Sequence, residues 1–92
     1  MLLYVVVYDI PCDKRRQRVS DLLTGYGQRV QYSVFECFLS TAKYNELRSR
    51  LRKRIKSSED SVRFYPLSSR TIGGIETWGG PPVLEPPGSQ IV

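Results

Sequence analysis

Asp9 ends an unbroken apolar run and is the residue in this 92-residue chain whose type and place best suit chemistry. A carboxylate at the end of a buried strand, beside the loop that opens a helix, suits a metal ion. Magnesium prefers hard oxygen ligands and commonly takes one or two from protein, with water and phosphate supplying the rest. Metal-activated water attacks a phosphodiester without a histidine base, and the chain has no histidine. The plainer alternative is that Asp9 serves a turn or pairs with a nearby arginine. Asp13 precedes Lys14 and reads as a helix N-cap first, a second ligand only after that. Glu36 joins a metal site only if its side chain points toward Asp9.

The cations come next. Lys14, Arg15, Arg16 and Arg18 crowd the start of one helical segment, with Arg15 and Arg18 on one face. Cations there oppose the helix macrodipole, and phosphate binding is a reason to tolerate that. A second segment carries Lys43, Arg48, Arg50, Arg52, Lys53, Arg54 and Lys56, half of the 14 Lys and Arg. Clustered cations neutralise phosphates and release counterions, which gives salt-sensitive, sequence-independent affinity. A solvated helix face is the alternative at both places. The formal net charge is +5, and the basic excess lies in residues 1–70, which hold every Lys and Arg. Such a surface favours nucleic acid or an anionic membrane as partner. Tyr32 and Phe35 lie in a mixed polar and aromatic strand and read either as base-stacking residues or as core.

Cys12 and Cys37 form no C-x-x-C pair and no zinc spacing, so reduced thiols in a cytosol are expected. The apolar start Met1–Tyr8 has no basic leader and Asp9 closes it early, which argues against an export or membrane segment. A cytoplasmic protein without a membrane partner is therefore expected.

The elements that must position these residues follow from hydrophobic periodicity. Leu2–Tyr8 reads as a strand apolar on both faces, stopped at Pro11. Val19, Leu22, Leu23 and Tyr26 recur at helical spacing until Gly25 and Gly27 end that helix. Residues 29–39 read as two short strands with a turn near Ser33. Ser40 caps a second helix whose apolar stripe is Tyr44, Leu47, Leu51 and Ile55. Residues 57–60 form a loop, 61–67 another strand, and 72–78 a short extra C-terminal strand. The result is an α+β, ferredoxin-like βαββαβ antiparallel sheet with two helices on one face. The domain is expected over residues 1–78, with a Pro/Gly-rich tail over 79–92. Two helices cover one sheet face only, yet the first strand is apolar on both. A two-fold partner is the simplest cover for the second face of so small a domain.

Four blocks together resemble a known family: Tyr4-Val5-Val6-Val7-Tyr8-Asp9-Ile10, Asp13-Lys14-Arg15-Arg16, Gln31-Tyr32-Ser33-Val34-Phe35-Glu36 and Val62-Arg63-Phe64-Tyr65-Pro66-Leu67. In order and spacing they are similar to the small core CRISPR adaptation proteins, companions of the CRISPR integrase. The resemblance implies a ferredoxin-like homodimer with the two Asp9 carboxylates close together, holding magnesium, or manganese in its place. It implies an endonuclease acting on single-stranded RNA or double-stranded DNA, with Asp9 catalytic. Tyr8, Arg16, Arg18, Arg29 and Phe35 fall on positions the family associates with that activity. The resemblance also admits a non-catalytic DNA-binding scaffold in the integrase complex. A toxin-like ribonuclease or an RNA-binding sheet of the RRM type shares the fold, but the RRM Gly-aromatic signature is missing.

Overall fold

A computed structural model of the chain describes residues 1–86. Strand β1 spans Leu2–Asp9, helix α1 Asp13–Thr24, strands β2 and β3 Gln28–Gln31 and Val34–Leu39, helix α2 Thr41–Arg52, and strand β4 Ser61–Leu67. A single helical turn, α3, follows at Ser69–Ile72. The sheet order is β2-β3-β1-β4, and every neighbouring pair is antiparallel. This is the ferredoxin-like order, with α1 and α2 each bridging to a non-adjacent strand.

Alternation along β1 divides the sheet faces. Tyr4, Val6 and Tyr8 join Phe35, Cys37 and Leu39 beneath Val19, Leu22 and Leu23 of α1 and Leu47 and Leu51 of α2. Both helices therefore pack on that one face. Each fully buried Leu or Val there contributes about 1.5–3 kcal/mol of transfer free energy. Leu3, Val5, Val7 and Asp9 point to the other face.

Local signals explain most boundaries. The Ser40 side chain accepts a hydrogen bond from the Lys43 N–H at 3.2 Å, the N-cap expected for α2. The residue flanking α1 is Cys12, which makes no side-chain cap; Asp13 is already helical and pairs with Arg16. Gly27 is required by close approach, since a Cβ there would lie 2.2 Å from the Glu36 carbonyl oxygen. A bulge between Arg29 and Gln31 then bends the short β2. Pro66 sits in β4, an edge strand, where its missing donor is tolerated.

The expected extra strand over 72–78 is not formed. Ser68 accepts from the Thr71 N–H at 3.3 Å and starts the α3 turn, and irregular chain follows it. A glycine pair at 73–74 weakens any strand there. The tail beyond is not simply extended into solvent: the Leu84 N–H donates to Glu36 Oε1 at 2.9 Å, on the face that the helices leave open. The open face is thus partly strapped by its own chain. The expected tail over 79–92 is described only to residue 86, and its Ile91-Val92 end lies outside the described residues.

Candidate metal and nucleic-acid site

Asp9 is the last residue of β1, opposite Ser61 of β4, and it is exposed. By strand alternation it shares the open face with Val5 and Val7. Among the described residues its carboxylate has no ion pair and no hydrogen-bond partner. The turn-serving or arginine-paired alternative therefore has no support here. A free, exposed carboxylate is the hard oxygen donor that magnesium takes singly or in pairs. Among the described residues no group of three or more His, Cys, Asp or Glu could hold a metal ion, so one chain offers a donor and not a cage.

The other acids considered as ligands are committed elsewhere. Glu36 faces the open side opposite Val5, about 13 Å along the sheet from Asp9. It takes the Leu84 N–H, so it does not join Asp9. Asp13 is held by Arg16.

The residues implicated by resemblance gather around the turn between β2 and β3. The Tyr8 hydroxyl donates to the Tyr32 carbonyl at 3.4 Å, and Arg29 donates to the same oxygen and to the Ser20 hydroxyl. Arg16 donates to the Ile10 carbonyl at 2.9 Å, which fixes the chain immediately after Asp9. Arg29 also lies 5.1 Å from the centroid of the Phe35 ring, within cation–π range. Tyr8, Arg16, Arg29 and Phe35 thus form one frame at the Asp9 end of the sheet.

Two of them cannot contact nucleic acid directly from these positions. Tyr8 is 3% and Phe35 1% exposed, and their rings pack against each other with centroids 6.3 Å apart. They are core residues that hold the turn. The aromatic ring available for stacking there is Tyr32, 71% exposed. Arg18 stands apart on the outer helical surface, bordering a groove with Arg50 and Arg54.

Sequence reasoning misjudged Arg15 and overlooked Arg63. Arg15 does not serve phosphate: it donates to Asp60 at 2.7 and 3.0 Å and to Glu59 at 3.3 Å. The Asp60 side chain is fully buried and also accepts the Lys56 N–H at 2.8 Å. Arg15 first, then the Lys56 amide, hold this carboxyl below its ordinary range. Arg63 lies opposite Val7, exposed, on the Asp9 face. The alternation of β4 could have assigned it, because Val62 and Phe64 take the core side.

An antiparallel four-stranded sheet in the order β2-β3-β1-β4, with two helices on one face and an unengaged carboxylate at the end of its first strand, defines a small ferredoxin-like protein. Residues 1–74 match the family described as CRISPR associated protein Cas2, and the chain belongs to that family. A relative from Synechocystis sp., named CRISPR-associated endoribonuclease Cas2 3, is 63% identical over 92 residues, covering 100% of both chains. A Thermus thermophilus relative, named CRISPR-associated endonuclease Cas2 2, is 43% identical and covers 90% of this chain and 88% of its own. A chain of a solved partial Cas6-RT-Cas1–Cas2 complex superposes with a TM-score of 0.77 at 36% identity, covering 92% of this chain and 99% of that one.

Proposed function

We propose that the chain is a metal-dependent endonuclease of CRISPR adaptation that works as a homodimer with the CRISPR integrase. The observation that carries this reading is the exposed, unengaged Asp9 carboxylate on the open sheet face of a chain whose relatives are named endoribonuclease and endonuclease. Asp9 and its counterpart in a second copy hold magnesium, or manganese in its place. Such an ion, when bound, supplies Lewis-acid stabilisation and lowers the pKa of water at the phosphodiester. Arg16 and Arg29 keep the loop after Asp9 and the β2–β3 turn in place while their charge attracts phosphate. Tyr8 and Phe35 support that turn from within. Arg18 contributes to a second, outer basic surface. RNA or duplex DNA is the substrate, in the cytoplasm. Residues 1–78 make the working domain, and the 79–92 tail serves docking.

Asp9→Ala should abolish cleavage of single-stranded RNA and duplex DNA in magnesium or manganese while leaving the melting temperature and binding in EDTA unchanged. Persistent cleavage by a clean Asp9→Ala preparation overturns the assignment.

A second reading is a DNA-holding scaffold without chemistry. Two observations favour it: a structural relative that sits in a Cas1–Cas2 complex, and the lone carboxylate per chain. Nucleic-acid binding indifferent to metal, with no cleavage by the wild type, selects it.

A further inference from the structure

We propose that the groove between α2 and the β4 edge is a binding site for unpaired nucleotides, on the helix side of the sheet and distinct from Asp9. The groove has a volume of about 380 Å³. Leu51, Ile55 and Val62 supply its apolar lining, and the half-buried Tyr44 and Phe64 its aromatic lining. Their rings meet edge to face, with centroids 5.4 Å apart and planes at 84°. Tyr44 is itself backed by Tyr4, parallel at 4.2 Å, which covers one face of its ring.

The rim is cationic. Arg48 and Arg52 border the groove, and the guanidinium of Arg48 lies 5.2 Å from the Tyr44 ring centroid. The adjoining depression on α2 shares Arg48 and Arg52 and adds Lys53. No acid lines either depression, and among the described residues Arg52 and Lys53 have no ion pair. An aromatic lining beside uncompensated cations complements a ligand that is flat and apolar at one end and anionic at the other. A nucleobase with its phosphate is such a ligand. A duplex keeps its base faces stacked internally and cannot present them, so the occupant is unpaired.

The position ties the groove to the rest of the molecule. Val62 and Phe64 lie on the helix side opposite Tyr8 and Val6, while Ser61 pairs with Asp9. Only the edge strand β4 separates the groove from the Asp9 end of the open face. A strand gripped in the groove can pass around that edge toward Asp9; this link, unlike the binding itself, rests on the nuclease reading.

The test uses the full chain in EDTA, so binding is read without cleavage. Fluorescein-labelled oligouridine and a duplex of equal length are compared by anisotropy across a salt series. Arg52→Gln/Lys53→Gln should weaken oligouridine binding about tenfold and lower the salt slope by roughly 1.4, the loss expected for two phosphate contacts on a single strand. Phe64→Leu should weaken it about fivefold or more with the slope unchanged, as loss of a stacking contact does. Duplex affinity should change less than twofold in both. Oligonucleotide carrying 4-thiouridine should photocrosslink to the peptides containing Tyr44 or Phe64. Unchanged oligouridine affinity in the Arg52/Lys53 variant, an equal loss for duplex, or crosslinks confined to other peptides overturns the proposal. Binding of an acidic aromatic peptide in place of oligouridine does so too. Failure of wild-type cleavage with these results intact would remove the nuclease reading and leave the groove standing.

Discussion

At the residue scale, what each side chain does is decided by which face of its element it occupies. Asp9 was legible in the sequence because Pro11 and the helix start fix where β1 must end. Tyr8 and Phe35 were not, since an aromatic residue in a strand fits the core and a base equally well until pairing assigns the face. The register that sets Val6 opposite Phe35 puts both rings under the helices. The two cysteines differ for the same reason. Burial, and secondarily the charge of Glu36, pushes the Cys37 thiol up to about 12. The backbone N–H of Arg15, with help from that of Lys14, holds the part-exposed Cys12 below the ordinary thiol range. The thiolate is the reactive form. Iodoacetamide at neutral pH should therefore alkylate Cys12 in the native protein and Cys37 only in denaturant, read by peptide mass spectrometry. Native labelling of Cys37 at a comparable rate would show that β3 is not packed as described.

At the element scale, the order of elements along the chain and both long helices were readable from periodicity, and Ser40 announced α2 correctly. The 57–60 loop was readable as a loop, but the burial of its last acid was not. Nothing in Ser57-Ser58-Glu59-Asp60 distinguishes a solvated acid from a buried one, yet Asp60 anchors the start of α1 to the approach to β4 through Arg15. The extra strand failed because apolar spacing over 72–78 cannot reveal that Ser68 caps a helical turn first. The Arg15–Asp60 pair gives a pH signature. A carboxyl whose folded-state pKa is depressed adds stability above its unfolded value, near 3.9, and loses it as pH falls through the folded value. Wild-type stability should accordingly fall on acidification below about pH 4. Asp60→Asn should melt lower at pH 7 and lose less between pH 7 and pH 3, measured by circular dichroism. Parallel melting curves at both pH values would contradict the role given to this pair.

At the scale of the whole molecule, the helices satisfy one sheet face and leave the other to be completed. Leu3 is fully buried on that second face, and the C-terminal segment crosses it at Glu36, so its cover is partly intramolecular. This was hidden in the sequence because the contact joins residues 48 positions apart through a backbone amide. The Asp9 end stays exposed, as do Tyr65 at 45% and Trp78 at 91%. A single chain supplies one carboxylate to an ion that often takes two, so the nuclease account stands or falls on a second copy bringing its own Asp9 alongside. Titration of the purified protein with Mn²⁺, read by isothermal calorimetry, tests this most directly. One ion should bind for every two chains, and Asp9→Ala should show no such binding. One ion per chain, or unaltered binding by Asp9→Ala, would contradict the pairing of the two Asp9 carboxylates.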